Sequence, residues 1–341
     1  MSKRIYVKDL TDKQNLEDIF LVAEKGSGIT VRGSQFLRFK LQDKTGDIEA
    51  KRWDASDAEI MKINEGDYIL AAAKVTTYKE VLQLDIQSFR KWGEEIDPAD
   101  FMKCSNRDLN EMMTELNDYI KGISSPQLNK IMDYFFSDNN FVTKFKFAPA
   151  ARSIHHDYIG GLLEHTLEVA KTAQALASVY PNIDKDLLMV GAILHDMGKI
   201  EEFTWETRIE YTLAGNLIGH LVSGAMMIRT AAETLEGFDP LLSIAIQHMI
   251  LSHHGEKEWG SPKRPKSVEA MVLHYADNIS AKVYQFQNEI NQSEQKGEKG
   301  LLTKKNKLLD RPIFKGVPYE EASTGESSLF VDDADYDPFD E

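Results

Sequence analysis

A histidine and an aspartate directly follow an apolar run, and this doublet constrains the fold more than any other sequence feature. Residues 190–194 read Val-Gly-Ala-Ile-Leu and are followed by His195 and Asp196. Burying an imidazole and a carboxylate without partners costs several kcal/mol, so other segments must bring partners to this point. A divalent cation would satisfy both groups at once. A helix-end hydrogen bond is the alternative for a single pair.

The histidines of the chain are confined to one half. All nine lie within residues 155–274, and residues 1–154 contain none. Several of them begin or end segments that are predicted to be helical, where a side chain can point at a shared centre. One aspartate lies beside the apolar stripe of a further predicted helix. The side chains that we expect to meet the doublet are His165, His220, His253, His254 and Asp277.

The first 92 residues have the two-residue periodicity of β-strands. Strands are predicted at 18–24, 35–42, 47–53, 68–78 and 81–89, with a helix at 55–63. The turn residues Gly26, Ser27 and Gly28 are predicted to end the first strand. Five strands with a helix between the third and the fourth is the order of an OB-fold barrel.

The rest of the chain is predicted to be helical. We expect an OB-fold-like nucleic-acid-binding domain at 1–92, a helical connector at 93–149, an all-α domain at 150–310 and an acidic tail at 311–341. The connector carries a Met- and Phe-rich surface that is either core or a subunit contact, which leaves a homo-oligomer open. Helices are predicted at 106–121, 126–136, 139–145, 161–179, 185–194, 217–235, 240–252 and 267–292.

Charge and composition further limit the class of protein to which this chain can belong. Residues 317–341 hold nine acids and no Lys or Arg, and without them the net charge of −15 falls to −6. That segment is predicted to be disordered from about residue 318. A mildly acidic body still allows a local basic groove. No window approaches the ~18 apolar residues of a membrane span. With Cys104 as the one cysteine and no signal-peptide pattern, we expect a cytoplasmic protein that binds no membrane.

The order of these residues resembles a known family. His165, then His195-Asp196, then Asp277 is similar to the HD-domain metal-dependent phosphohydrolases, which are named for the doublet. The three further histidines resemble the subset of HD domains that hold two metals. An OB-like domain, a helical connector and the segments GGLLEHT and ILHDMGK together closely resemble the YhaM family of bacterial 3′→5′ exoribonucleases. This resemblance covers about residues 1–310.

The resemblance implies a two-metal site in which Asp196 is shared. Two metals about 3.5–4 Å apart lower the pKa of a shared water toward ~7. Lys199 would contact the scissile phosphate, although it could instead pair with a carboxylate such as Glu201. Nitrogen and oxygen ligands suit Mn²⁺, our first choice, as well as Fe²⁺, Co²⁺ or Zn²⁺. The first metal would be bound by His165, His195, Asp196 and Asp277, and the second by Asp196, His220 and His253, with His254 as the alternative or additional ligand.

The barrel contains candidate strand-binding residues. Phe36, Arg38 and Lys40 share the face opposite the predicted core face, and a ring beside two cations suits stacking and phosphate contact. Ordinary exposed strand residues would look the same. Lys51 and Trp53 share a face of the next strand, although Trp53 could instead fill the barrel core. The residues that could extend a basic path toward the metal site, or be merely solvated, are Arg152, Lys263, Arg264 and Lys266.

These observations, with the resemblance, predict a metal-dependent exonuclease that removes nucleoside 5′-monophosphates from the 3′ end of single-stranded RNA, with single-stranded DNA as the alternative strand. One rival is an HD-domain phosphohydrolase of a small nucleotide (a dNTP, a cyclic dinucleotide or an alarmone), which would need no strand-binding module. The other is a non-catalytic single-strand-binding protein, which would need neither an open metal position nor a phosphate-binding lysine.

Overall fold

The computed structural model describes residues 3–30, 33–79, 81–94, 96–97, 100–152, 156–205, 208–306 and 309–317. The chain divides into two compact units, Met1–Asn278 and Ile279–Glu341. The strands are β1 (Asn15–Ile29), β2 (Gln35–Asp43), β3 (Gly46–Trp53), β4 (Tyr68–Tyr78), β5 (Val81–Lys91), β6 (Phe203–Thr204) and β7 (Glu210–Tyr211). The α-helices are α1 (Asp57–Lys62), α2 (Leu109–Lys121), α3 (Pro126–Phe136), α4 (Asn139–Phe147), α5 (Gly161–Val179), α6 (Lys185–Leu194), α7 (Lys199–Glu202), α8 (Leu213–Leu217), α9 (His220–Thr234), α10 (Pro240–Ser252) and α11 (Val268–Gln295).

Strands β1 to β5 form a closed barrel in the order β1-β2-β3-β5-β4. Neighbouring strands are antiparallel except β3 and β5, which run parallel, with Ala50 opposite Leu84. Helix α1 lies between β3 and β4 in sequence and begins with a capping box formed by Ser56 and Glu59. Alternate residues of β2 fill the core while their neighbours face outward. The predicted OB-fold-like barrel is thereby confirmed.

The predicted end of the first strand was wrong. Strand β1 continues through the glycines, and Gly26 pairs with Arg38 and Gly28 with Phe36 on β2. A Cβ at Gly28 would lie 2.7 Å from the Phe36 ring, so this position needs glycine for a close cross-strand approach. Phe36 is distant from Gly28 in sequence, so the local sequence showed only glycines that are typical of a turn.

Helices α2 to α7, α9 and α10, with the first part of α11, share one hydrophobic core. Met112 and Met113 of α2 and Phe135 of α3 are buried in it, and Phe136 packs against it. These connector residues are thus core, which answers the alternative left open by the sequence. The same cluster includes residues of the helices that carry or end at the candidate site residues: α5, α6, α7, α9, α10 and α11.

Two boundaries in the helical part differ from expectation. The helix predicted at 217–235 begins three residues later than expected, because α8 ends at Leu217 and α9 begins at His220 after Gly219, whose φ is +77°. In the second unit, residues 311–317 pair with the preceding segment through Leu302–Phe314 and Asn306–Arg311 bridges. The predicted disorder from residue 318 lies outside the described residues. None of the described helices is both long and apolar enough to cross a membrane.

Candidate functional site

The His-Asp doublet lies at the buried end of α6. His195 is the residue that caps this helix, and both His195 and Asp196 are almost fully buried. Gly198 follows two residues later, and a Cβ there would lie 2.2 Å from the backbone oxygen of His220. Glycine therefore allows the start of α9 to approach the doublet closely.

One oxygen of Asp196 lies among the side chains of His165, His195 and Asp277. We call this oxygen and those three side chains the first group. Asp196 Oδ2 lies 3.4 Å from Nε2 of His165 and 3.3 Å from Nε2 of His195. Oδ1 of Asp277 lies 3.1 Å from Nε2 of His165 and 3.9 Å from that of His195. Helices α5 and α11 thus bring residues that are distant in sequence to the end of α6.

The other oxygen of Asp196 faces a cluster of three histidines, His220, His253 and His254. We call this oxygen and those three histidines the second group. Asp196 Oδ1 lies 3.5 Å from Nε2 of His220 and 3.5 Å from Nε2 of His253. One ring nitrogen from each of the three histidines lies within 4.8 Å of the others. Both members of the His253-His254 pair therefore point toward His220.

The hydrogen bonds of the rings suit metal binding. Nδ1 of His195 bonds to the Ala192 carbonyl at 2.9 Å, and Nδ1 of His253 bonds to the Ile250 carbonyl at 2.8 Å. A carbonyl oxygen can only accept, so each Nδ1 carries the proton and each neutral ring has a lone pair on Nε2. These lone pairs point at carboxylate oxygens or at each other.

Two buried polar atoms of the second group lack a hydrogen-bond partner, and a bound cation would satisfy both. Asp196 Oδ1 and His220 Nε2 are buried and make no hydrogen bond. Buried polar atoms without partners are rare and need a reason. Imidazole nitrogens and carboxylate oxygens together are ligands for transition metals and zinc. The donor set therefore fits two divalent cations that share Asp196.

Most of the charge states agree with that fit, and His195 differs. Burial lowers the pKa of His195, but the charge of Asp196 outweighs burial and raises it, so a metal ion that binds there takes the place of a proton. Burial would raise the pKa of the Asp196 carboxyl, but the charges of Lys199 and His195 hold it well below its usual value. Burial lowers the pKa of His165 and of His253, and it lowers the pKa of His254 to about 3. Ionised carboxylates and neutral imidazoles are the forms that bind a metal ion.

Lys199 lies beside the same carboxylate. Its Nζ donates to Asp196 Oδ2 at 2.5 Å, and the residue is 6% exposed. An ammonium here can stabilise negative charge next to the first group. The alternative partner that the sequence suggested, Glu201, has an exposed side chain.

The outer surface of the barrel carries an aromatic and basic cluster. The Phe36 and Trp53 rings lie 5.4 Å apart across β2 and β3. Nζ of Lys51 lies 5.5 Å from the ring centres of both Trp53 and Tyr78. Of the two alternatives for Trp53, filling the core is wrong: the residue is 41% exposed, because it shares the outward face of β3 with Lys51. Arg38 is exposed on the same face of β2, opposite Lys51.

The remaining basic candidates are dispersed. Lys40 is paired with Asp47 at 2.7 Å and with Glu24 at 3.6 Å. Lys40 and Arg152 line one cavity of about 550 Å³. Other basic and acidic side chains that line it are Lys103, Arg208, Asp43, Asp47 and Asp157.

The loop between α10 and α11 contains the other three basic residues that the sequence proposed for strand binding. Lys263, Arg264 and Lys266 are exposed, and Arg264 is paired with Glu256 at 2.8 Å. The backbone N–H of Lys266 donates to Nε2 of His248, which therefore has a structural role. Among the residues described, no hydrogen bond or ion pair links these three to the first or second group.

Comparison with known proteins agrees with this architecture. Residues 162–282 match the model of the HD domain family. The chain is 36% identical to the 3′-5′ exoribonuclease YhaM of Geobacillus sp. (strain WCH70), over 89% of this chain and 94% of that protein. It is 35% identical to the protein of the same name from Bacillus subtilis (strain 168), over 83% and 89%.

Among solved structures, the second OB-fold domain of replication protein A from Methanococcus maripaludis is similar at 15% identity and a TM-score of 0.23, covering 27% of this chain and 98% of that one. The level and extent of identity to its bacterial relatives show that this chain belongs to the YhaM family.

Proposed function

We propose that this protein is a metal-dependent 3′-5′ exoribonuclease that releases nucleoside 5′-monophosphates from single-stranded RNA. The observation that carries the proposal is the division of Asp196, whose two oxygens face two separate groups of imidazoles. This is the arrangement expected of a carboxylate that bridges two cations. The 3′ polarity and the RNA substrate are supported by the names of the relatives at 36% and 35% identity.

Each part of the chain has a separate task in this proposal. The first and second groups hold two divalent ions, with Mn²⁺ as the first choice. When bound, such ions activate water and stabilise charge on phosphate oxygens. Asp196 orients both sites, and Lys199 donates to a non-bridging oxygen of the scissile phosphate. The barrel domain, residues 1–92, holds the single strand.

The barrel cluster supports a strand substrate rather than a free nucleotide. Phe36, Trp53 and Tyr78 offer rings for successive bases, and Lys51 and Arg38 lie beside them for the phosphates. Base stacking with adjacent cations is the common way to hold single strands without strict sequence preference. Five further basic residues remain proposed contacts of the strand: Lys40, Arg152, Lys263, Arg264 and Lys266. A cytoplasmic location is also part of this proposal.

One assay separates this proposal from its rivals. The protein is incubated with Mn²⁺ and RNA labelled at the 5′ end, and in parallel with a dNTP, a cyclic dinucleotide and an alarmone. A ladder that shortens from the 3′ end supports the exonuclease. Turnover of small nucleotides alone favours the phosphohydrolase, and a gel shift without cleavage favours the binding protein.

Matched variants identify the site. Combining His195→Ala with Asp196→Ala should abolish cleavage and leave RNA affinity within about twofold, because the barrel is untouched. The control is Asp118→Asn, whose side chain is 70% exposed on α2. Full cleavage by the double variant would exclude the proposed centre.

A further inference from the structure

A buried carboxylate lies behind one histidine of the second group. Glu202 is 7% exposed. Its Oε1 accepts two hydrogen bonds from His220, one from the backbone N–H at 3.1 Å and one from Nδ1 at 3.0 Å. The opposite nitrogen of that ring, Nε2, faces Asp196 Oδ1 at 3.5 Å.

These contacts decide which ring nitrogen of His220 carries the proton. A carboxylate can only accept, so Nδ1 of a neutral His220 keeps its hydrogen and Nε2 keeps its lone pair. Without Glu202, the proton could move to Nε2. Nε2 would then donate directly to Asp196 Oδ1, and that hydrogen bond would take the place that a cation needs.

Backbone contacts fix the position of Glu202 in the fold. It is the last residue of α7, whose first residue is Lys199. Its backbone oxygen accepts the N–H of Thr212 at 2.9 Å. A Cβ at Gly215 would lie 2.2 Å from the same oxygen, so the turn at 212–215 packs directly on it. One short helix therefore fixes both the lysine beside Asp196 and the carboxylate behind His220.

We propose that Glu202 is a positioning residue that selects the Nδ1–H tautomer of His220 and thereby sets the affinity of the second group for its metal ion. This inference rests on the proposed two-metal function. Sequence patterns did not single out Glu202, because Glu201 is its neighbour and a four-residue helix gives no periodicity to choose between them.

The test compares Glu202→Ala and Glu202→Gln with Glu201→Gln, a control that removes the same charge from the adjacent, exposed side chain. Binding of Mn²⁺ is measured by titration calorimetry on the full chain. The tautomer of His220 is read from ¹⁵N NMR in EDTA, with assignment by His220→Ala.

In Glu202→Ala we expect affinity for the second ion to fall by roughly 10–100-fold, with the first ion unaffected, and Nε2–H to become populated. Glu202→Gln should lose part of that affinity, because a neutral amide oxygen is a weaker acceptor than a carboxylate. Glu201→Gln should match wild type.

Two results would overturn the inference. One is an Nε2–H tautomer of His220 in the wild-type protein, a measurement that remains informative if the alanine variant does not fold. The other is an unchanged tautomer in Glu202→Ala. Failure of the proposed function is distinct: the wild-type protein would then bind fewer than two ions, whereas the NMR result would still test Glu202.

Discussion

Nε2 of His165 lies 3.2 Å from Nε2 of His195, although 30 residues separate the two histidines in the chain. The Nδ1 proton of His195 bonds to a carbonyl, so its Nε2 presents a lone pair to the neighbouring ring. Two buried nitrogens at this distance are stabilised when a cation binds between them and the adjacent carboxylates.

Metal binding should therefore stabilise the fold. At a free Mn²⁺ concentration of 100 times Kd, the free energy of unfolding should rise by about 2.7 kcal/mol relative to protein in EDTA. Urea unfolding followed by circular dichroism measures the difference. His165→Ala should lose most of the gain, whereas Asp118→Asn should keep it. Equal stability with Mn²⁺ and with EDTA would argue against a metal centre here.

A substitution can show whether His254 is a ligand of the second metal ion or only forms a hydrogen bond beside it. Its Nδ1 bonds to the carbonyl of Trp259 at 3.1 Å, so Nε2 is left to the second group. His254→Ala should lower affinity for the second ion by at least roughly tenfold. His248→Ala is the control, because that ring bonds to Lys266 instead. Calorimetry with Mn²⁺ decides; unchanged affinity in His254→Ala would leave His253 and His220 as the histidine ligands of the second group.

The sequence named side chains that the structure brings together around the doublet, because their chemistry limits their surroundings; their role as metal ligands stays a prediction. A histidine and an aspartate after an apolar run need partners wherever the chain folds, so the doublet alone required other helices to converge. The alternation of β3 placed Trp53 on the face of Lys51, but the sequence left burial of so large a ring open. Gly28 was misjudged because its surroundings come from a neighbouring strand, where it meets Phe36. Such contacts depend on strand register, which local periodicity does not encode.

The aromatic cluster should bind RNA mainly by stacking. Trp53→Ala should weaken binding to a single-stranded oligonucleotide by ~1–3 kcal/mol, with little change in salt dependence. Lys51→Ala should instead reduce the slope of log K against log salt by about 0.7. Tyr180→Ala removes an aromatic side chain of similar exposure at the end of α5 and should have no effect. Fluorescence anisotropy at several salt concentrations measures both quantities. Unchanged affinity in Trp53→Ala would remove stacking on this face.

A buried ion pair supports the barrel. Nζ of Lys3 lies 3.4 Å from Asp43 Oδ2 and 3.7 Å from the centre of the Phe20 ring, with both charged side chains fully buried. Asp43→Asn removes the strongest counter-charge of the ammonium and leaves the weaker attraction of Asp18 and Asp100, which should cost ~3–5 kcal/mol of unfolding free energy.

Adding Lys3→Met to Asp43→Asn should recover part of that loss, because the unpaired charge is then removed. The exposed pair of Asp118 and Lys121 provides the comparison, and Asp118→Asn should change stability by less than ~0.5 kcal/mol. Urea unfolding measures all three variants. A double variant that is less stable than Asp43→Asn alone would contradict this account of the pair.

The thiol of Cys104 should be unreactive at neutral pH. Burial raises its pKa to about 11, against an ordinary value of about 8.5. At pH 8 the thiolate, which is the reactive form, should therefore be roughly 10²-fold scarcer than in an unfolded chain. The rate of reaction with a disulfide reagent should rise tenfold per pH unit between pH 7 and 10, whereas in urea it should level off near pH 9.

Because the chain has one cysteine, every signal comes from this residue. A plateau near pH 9 in the folded protein would show an ordinary thiol. Cys104→Ser should also retain full exonuclease activity, because a neutral, half-buried thiol bonded to the Met102 carbonyl can serve neither as a nucleophile nor as a ligand to the first or second group.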